Sequence, residues 1–272
     1  MTRAHRITAA MAATVFFTLS LAGCATHAPA GDGTSATTTT IGPSTPTLET
    51  ADLTVLAAAS LTEAFDDLAT QFEQANPGVS VTVSHGGSGA LATQILEGAP
   101  ADVFASAADS PMQQVVEAGL AADSEVFATN TLELVVPAGN PAEVSGLDDL
   151  ANPDLRIALC DESVPCGAAS AQLLANEGVT PAPDTLESDV KAVLTKVSLG
   201  EVDAALVYRT DVTAAGDTVE GIEIAAAADV VNRYPIAALT DSAAPAAAAA
   251  FLAFVTGAAG REALAASGFG AP

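Results

Sequence analysis

Apolar positions recur along the chain with two periods, and from about residue 51 onward these periods predict alternating strands and helices. Leu61, Phe65, Leu68 and Phe72 recur at the spacing of one helical face. Short runs that alternate, such as Val79–Val83, or that are continuously apolar predict strands. The predicted strands are 53–58, 79–83, 101–105, 132–137, 156–160, 204–208 and 235–239. The predicted helices are 61–73, 90–97, 112–118, 147–151, 167–177, 190–199, 245–256 and 260–266.

The order of these elements predicts the fold class. A β-α-β-α order is typical of a parallel sheet with helices on its faces, and a second unit of the same kind begins near Asn130. About 220 residues are enough to form one or two domains with a large core. We therefore expect an α/β protein with two lobes, and the cleft between such lobes is a common place for a ligand.

The first 23 residues have the layout of a secretory signal peptide. Arg3 and Arg6 precede the apolar run Ile7–Leu21, which is too short to span a bilayer comfortably. The run ends in Leu-Ala-Gly followed by Cys24, which resembles a bacterial lipobox and predicts that Cys24 is lipidated. The alternative is an ordinary cleaved signal with a chance cysteine.

Residues 24–50 predict a flexible tether. Ala25–Thr50 is rich in Ala, Thr, Pro, Gly and Ser and has no hydrophobic period, so it cannot bury enough apolar surface to offset the entropy of ordering. A lipid on Cys24 would attach the protein to the outer face of the cell membrane without spanning it.

Charge and composition narrow the possible partners. The chain has 33 acidic and 8 basic residues, which argues against nucleic acid because phosphate binding needs a basic surface. It contains no Trp, so stacking platforms for sugars or bases are not indicated. The acidic composition does not exclude an anion ligand, because surface charges are screened by salt and the electrostatic potential in a buried site depends mainly on the nearest dipoles.

Two cysteines remain once Cys24 is assigned to lipid. Cys160 and Cys166 are separated by a five-residue loop, and an even pair in an exported chain favours a disulfide over two free thiols.

No motif for catalysis or metal binding is evident. His85 lies in Ser-His-Gly-Gly without a nucleophile elbow, and a solvated side chain is one interpretation. A hydrolase with Ser60 or Ser88 as nucleophile and His85 as base is the alternative from another class. No His-Glu-x-x-His or Cys-x-x-Cys occurs, and the glycines at 86–89 lack the Gly-Lys of a phosphate loop, so we predict no enzyme and no metal ligands.

Four predicted helices begin directly after a strand or loop with small or hydroxyl residues. The starts contain Ser60, Ser88, Cys166 and Val190. Each exposes unpaired backbone N–H groups and the positive end of a helix dipole, and several converging starts bind an anion without Lys or Arg. The alternative for each is simple helix capping. Tyr208, which ends an apolar strand, is either a hydroxyl donor or a tyrosine at the core edge.

Two neighbouring features have ordinary interpretations. Ser60 and Glu63 have the spacing of a capping box. Arg209 and Asp211, just after Tyr208, are predicted to be a solvated surface pair. The alternative is that they form contacts between the lobes or with the transporter.

Several strings resemble the molybdate-binding proteins of ABC importers. Gly98-Ala99-Pro100-Ala101-Asp102-Val103-Phe104-Ala105-Ser106-Ala107 is the most specific of them. The others are 57–64, 87–92, 164–167, 188–190 and 206–208. The resemblance covers nearly all of residues 53–269.

This resemblance implies the two-lobed type II periplasmic-binding-protein fold, with lobe 1 at 51–130 plus 234–272 and lobe 2 at 131–233. The implied oxyanion ligands are hydroxyls and backbone N–H groups of Ser60 and Ser88, the N–H groups of Cys166 and Val190, and the phenol of Tyr208. The family more often has Ala or another small residue at the position of Cys166. Molybdenum is expected only as bound molybdate, without direct protein ligands and without a cofactor.

The implied function is capture of molybdate, and of tungstate, by a monomer that delivers it to the permease of an ABC importer. A site made only of donors suits fully deprotonated oxyanions, whereas hydrogen phosphate needs an acceptor for its proton. Sulfate is also fully deprotonated, so a sulfate or broader oxyanion receptor of the same fold is the alternative.

Overall fold

The computed structural model describes residues 48–272. The predicted signal peptide, the predicted lipidation site Cys24 and nearly all of the predicted tether lie outside the described residues.

The described part of the chain contains nine strands and eight α-helices. The strands are Ala51–Ala58 (β1), Val79–Gly86 (β2), Val103–Ala105 (β3), Glu125–Pro137 (β4), Ile157–Cys160 (β5), Thr185–Glu187 (β6), Ala204–Tyr208 (β7), Val219–Ile222 (β8) and Val231–Ala238 (β9). The helices are Thr62–Ala75 (α1), Ser88–Leu96 (α2), Asp109–Glu117 (α3), Pro165–Glu177 (α4), Val190–Ser198 (α5), Arg209–Ala215 (α6), Pro245–Thr256 (α7) and Ala258–Ala266 (α8). Short 3-10 turns include Ala59–Leu61 and Leu147–Ala151.

The strands form a mixed sheet in the order β2-β1-β3-β9-β4-β7-β5-β6, with β8 paired to β4. The expected parallel pairing is found between β1 and its neighbours β2 and β3, and between β5 and its neighbours β6 and β7. The expectation of a parallel sheet was wrong for β4 and β9, which pair antiparallel with each other and with their other neighbours. These two strands run in opposite directions between the two halves of the fold.

The strand β4 divides the molecule. Its first half pairs with β9 as far as Thr131 opposite Val231, and its second half pairs with β7 from Leu132 opposite Tyr208. One strand thus belongs to two sheet halves, because its backbone donors and acceptors find different partners before and after residue 131.

Separate hydrophobic cores lie on either side of this division. We call lobe 1 the part formed by residues 53–128 and 234–269, whose buried side chains pack on both faces of β1 and β3. Lobe 2 is formed by residues 132–230 and has one continuous core. The two-lobed α/β class expected from the sequence is therefore found.

Most predicted elements are present, but α6, β6 and β8 were missed. Residues 209–215 carry no helical apolar period, and the three-residue β6 leaves Leu186 exposed, so neither element has a buried stripe to detect. The first half of β4 was also missed because polar residues such as Thr129 and Asn130 occupy it.

No single described helix is both long and apolar enough to cross a membrane. The bent pair α7 and α8, with 57° between the helices, meets the length and composition criteria only when the two are taken together. Phe251 and Val255 of α7 are fully buried in lobe 1.

Candidate functional site

A small cavity lies between the lobes, and all five residues singled out from the sequence line it. It encloses about 20 Å³. A water molecule needs about 10–15 Å³, so this space suits one compact ion and not a sugar or a peptide. Its lining consists of Ala58, Ala59, Ser60, Gly86, Gly87, Ser88, Ala107, Val164, Pro165, Cys166, Asp189, Val190 and Tyr208.

Helix starts from both lobes meet at this cavity. α2 begins at Ser88 in lobe 1, whereas α4 begins at Pro165 and α5 at Val190 in lobe 2. Ser60 lies in the 3-10 turn between β1 and α1. The first N–H groups of a helix have no intrahelical acceptor, so these starts direct unpaired donors and positive dipole ends at one point.

The hydroxyl of Ser88 accepts a hydrogen bond from the backbone within lobe 1. Its side chain is 1% exposed, and the backbone N–H of Ala107 donates to its Oγ across 3.0 Å. Because that bond uses a lone pair of Oγ, the hydroxyl proton remains available to a group in the cavity.

Ser60 is linked to a tyrosine that sequence reasoning missed. Its Oγ lies 2.9 Å from Oη of Tyr234, which is fully buried on β9. When Ser60 donates to a group in the cavity, the Tyr234 hydroxyl donates to Ser60. The capping-box interpretation was wrong: α1 begins at Thr62 after Leu61 without a side-chain cap. No local pattern in the sequence indicates this pairing, because Tyr234 lies 174 residues from Ser60 along the chain.

Tyr208 presents its phenol to the cavity at the end of β7. Its side chain is 1% exposed, and Nδ2 of Asn232 donates to its Oη across 3.0 Å. Burial raises the pKa of Tyr208 well above its ordinary value, and the nearby Tyr234 and Asp211 add to the rise. The phenol therefore keeps its proton at physiological pH and can donate it.

Cys160 and Cys166 form a disulfide that ties the end of β5 to the first turn of α4. The turn is tightly packed, since a Cβ on Gly167 would clash with the carbonyl oxygen of Asp161. The bridge and the glycine hold the N–H groups of the first turn of α4 at the cavity.

The start of α5 carries the one acidic side chain in the lining. Asp189 is the N-cap residue, and its Oδ1 accepts the N–H of Ala192 across 2.9 Å. This bond directs that oxygen back to the helix. The N–H of Val190, the first residue of α5, has no intrahelical acceptor.

A buried ion pair stands behind the same helix start. Lys191 Nζ lies 3.1 Å from Oδ1 of Asp211, whose side chain is fully buried, so the predicted surface pair of Arg209 and Asp211 was wrong. Burial raises the pKa of Asp211 to about 6 although Lys191 opposes the rise. Burial alone would lower the pKa of Lys191, but Asp211 and Glu63 outweigh it and raise that pKa.

The arrangement offers little for catalysis. His85 is the penultimate residue of β2, and its Nε2 lies 2.9 Å from Oδ1 of Asp66. It is not among the cavity-lining residues, so the base of the alternative hydrolase is not beside Ser60 or Ser88 there. Within residues 48–272 no group of three or more His, Cys, Asp or Glu side chains could hold a metal ion.

A sequence-family model, that of the bacterial extracellular solute-binding proteins, matches residues 53–270 of the chain. The chain belongs to this family. The likeness to solute-binding proteins that the sequence strings indicated is thereby confirmed, and members of such a family bind solutes and are not enzymes.

Relatives and solved structures agree with this assignment. The molybdate-binding protein ModA of Mycobacterium tuberculosis (strain ATCC 25618 / H37Rv) is 42% identical over 253 residues, which cover 93% of this chain and 93% of that protein. The periplasmic molybdate-binding protein of Azotobacter vinelandii has a TM-score of 0.67 at 23% identity, over 81% of this chain and 99% of its own. The sulfate-binding protein SubI from Mycobacterium tuberculosis H37Rv has a TM-score of 0.66 at 20% identity, over 80% of this chain and 86% of its own. The two structures share the fold with this solute-binding protein.

The contacts between the lobes of this solute-binding protein include an ion pair and a close backbone approach beside the cavity. Glu63 of lobe 1 forms an ion pair with Lys191 of lobe 2 at 2.8 Å. Gly87 of lobe 1 lies so close to lobe 2 that a Cβ on it would be 2.5 Å from the carbonyl oxygen of Ser188. The structure therefore has its lobes closed on each other.

We expect Glu63→Gln to weaken ligand binding by about two- to fivefold, because a half-exposed ion pair contributes less than about 1 kcal/mol to closure. Lys191 keeps its partner Asp211 in this variant, so folding is preserved. Titration calorimetry measures the effect. Glu201→Gln is the matched control, since Glu201 has the same 54% exposure as Glu63 but pairs with Lys196 inside lobe 2. Equal loss in both variants would contradict a role in closure.

Proposed function

We propose that this extracellular solute-binding protein captures molybdate, and also tungstate, and delivers it to the permease of an ABC importer. The observation that carries the proposal is a small cavity between the lobes, whose lining brings together residues with hydroxyl and N–H donors from both lobes. The 42% identity to a molybdate-binding protein over nearly the whole chain supports the choice of ion.

The proposed ligands are the five residues singled out from the sequence. Ser60 and Ser88 donate their hydroxyls and backbone N–H groups, Cys166 and Val190 donate backbone N–H groups, and Tyr208 donates its phenol. Molybdate is here a transported ligand and not a cofactor, and it is bound through its oxygens without a bond from the protein to molybdenum. Hydrogen bonds to a charged group are stronger than neutral ones, which suits a site without Lys or Arg in its lining.

Such a site discriminates against protonated anions. Hydrogen phosphate carries one proton, and the five proposed ligands face it with donors, so an O–H buried against them lacks an acceptor at a cost of about 1–3 kcal/mol. Molybdate, tungstate and sulfate carry no proton at neutral pH, so they are not penalised in this way.

Titration calorimetry of the exported protein with molybdate, tungstate, sulfate and hydrogen phosphate tests the proposal. Tight binding of the first two with negligible binding of phosphate supports it. Sulfate competing with molybdate at equal concentration would make the protein a broader oxyanion receptor, an alternative supported by the fold shared with a sulfate-binding protein. Absence of binding to all four anions would overturn the proposal.

Capture requires the lobes to open and close. We place the moving units at residues 51–130 plus 234–272 and at residues 131–233, with β4 and β9 crossing between them. A monomer suffices, because both halves of the cavity come from one chain.

We propose that the protein is anchored to the outer face of the cell membrane by a lipid on Cys24, with residues 25–50 as the tether. Cys24→Ser is expected to abolish incorporation of labelled fatty acid and to release the protein from the membrane fraction, because no other anchor is proposed. Fractionation with metabolic labelling measures this. Molybdate affinity is unchanged in the same variant, which serves as the folding control. Continued labelling of Cys24→Ser would contradict the anchor.

A further inference from the structure

Asn232 stands directly behind the cavity without lining it. It lies on β9 opposite Asn130, where the chain crosses between the lobes, and its side chain is 8% exposed. Its Nδ2 is 3.0 Å from the carbonyl oxygen of Ala107, which follows β3 in lobe 1, and 3.0 Å from Oη of Tyr208 in lobe 2. The residue therefore contacts one lining residue from each lobe.

The carbonyl of Ala107 determines the orientation of the Asn232 amide. A backbone carbonyl only accepts hydrogen bonds, so the amide atom that faces it is the NH₂ group and not the oxygen. The second hydrogen of the same nitrogen is then donated to Tyr208. Within the described residues the amide oxygen of Asn232 has no hydrogen-bond partner, so no second contact favours the reversed amide.

This orientation excludes Asn232 as an acceptor for the proton of the Tyr208 hydroxyl. With one lone pair of Oη occupied by Asn232, the phenol directs its own proton away from Asn232 and is available as a donor on the cavity side. If the residue behind it accepted a hydrogen bond instead, the phenol proton would turn backward. A lone pair of Oη would then face the ligand.

We propose that Asn232 is a specificity-determining residue, which makes Tyr208 a donor and thereby selects fully deprotonated oxyanions over protonated ones. The inference rests on the proposed function and names a positioning residue for it. Asn232 acts through Tyr208 and does not touch the anion.

Asn232→Asp reverses the arrangement with almost no change in volume. The carboxyl oxygen that faces Tyr208 accepts the phenol proton whether the group is ionised or protonated, since a protonated carboxyl donates to Ala107 and still accepts from Tyr208. Molybdate then meets a lone pair, and the O–H of hydrogen phosphate finds an acceptor.

The test measures the dissociation constants of the exported protein for molybdate and for hydrogen phosphate, and takes their ratio. We expect Asn232→Asp to reduce the preference for molybdate by about tenfold, the effect of one hydrogen bond lost by one anion and gained by the other. Asn232→Ala frees the phenol to rotate and reduces the preference by about threefold. If Asn232 had a merely structural role, its substitution would lower the affinities for both anions by the same factor and leave their ratio unchanged.

Tyr208→Phe, alone and combined with Asn232→Asp, completes a double-mutant cycle. Without the phenol oxygen, Asn232→Asp is expected to leave the ratio within about twofold of the Tyr208→Phe value, because the coupling between contacting residues is gone. An unchanged ratio in the folded Asn232 variants, or an equal shift in the Tyr208→Phe background, would overturn the inference. A wild-type protein that binds neither anion would instead overturn the proposed function, so the two failures are distinguishable.

Discussion

Replacing both Ser60 and Ser88 by alanine is expected to weaken molybdate binding by at least about 100-fold while the fold survives. Each substitution removes a hydroxyl donor to a charged ligand, and such hydrogen bonds contribute about 1.5–3 kcal/mol each. The two serines come from separate elements of lobe 1 and both lie at the cavity. Their loss also leaves Tyr234 and the N–H of Ala107 without their present partners.

Titration calorimetry measures the affinity, and thermal unfolding of the ligand-free protein checks the fold. Ser170→Ala is the matched control, because Ser170 is buried like Ser60 and Ser88 but donates to the carbonyl of Cys166 within α4. Affinity within about threefold of the wild type in the double variant would reject the assignment of these serines as ligands.

Gly87→Ala is expected to weaken molybdate binding by about 10- to 100-fold through closure alone. Its φ of −61° and ψ of 129° are ordinary for alanine, so the backbone is not strained. The added Cβ would lie 2.5 Å from the carbonyl oxygen of Ser188, an atom of the backbone that cannot rotate away. The clash exists only when lobe 1 meets lobe 2, so the open form folds normally and the closed form is penalised.

Two measurements separate this effect from damage to the fold. The unfolding temperature of ligand-free Gly87→Ala should match the wild type, whereas the increase on adding molybdate should be much smaller. Small-angle scattering should show less compaction with molybdate. Gly89→Ala, two residues along the same segment, is the matched control, because its Cβ would sit 3.5 Å from the carbonyl oxygen of Ser163, an ordinary contact. Equal behaviour of the two alanine variants would refute a closure contact at Gly87.

The class of fold and five of the residues that line the cavity could be predicted from local patterns in the sequence. Periodic apolar positions are local signals, so the helix Pro245–Thr256 and the strand Ala204–Tyr208 were predicted with the bounds that the structure has. Helix starts are also local, because the small and hydroxyl residues that begin a helix are neighbours in sequence. That is why Ser60, Ser88, Cys166 and Val190 were identified before the fold was known.

The hydrogen-bond and ion-pair partners of those residues depend on tertiary packing. Tyr234 behind Ser60, Asn232 behind Tyr208 and Asp211 beside Lys191 are partners brought together by packing, and no periodicity reveals such pairs. The antiparallel course of β4 and β9 was likewise not evident, because their polar crossing segments lack an apolar pattern. Local residue order specifies where a donor can arise, whereas the direction in which a hydroxyl donates depends on neighbours that are distant in the chain.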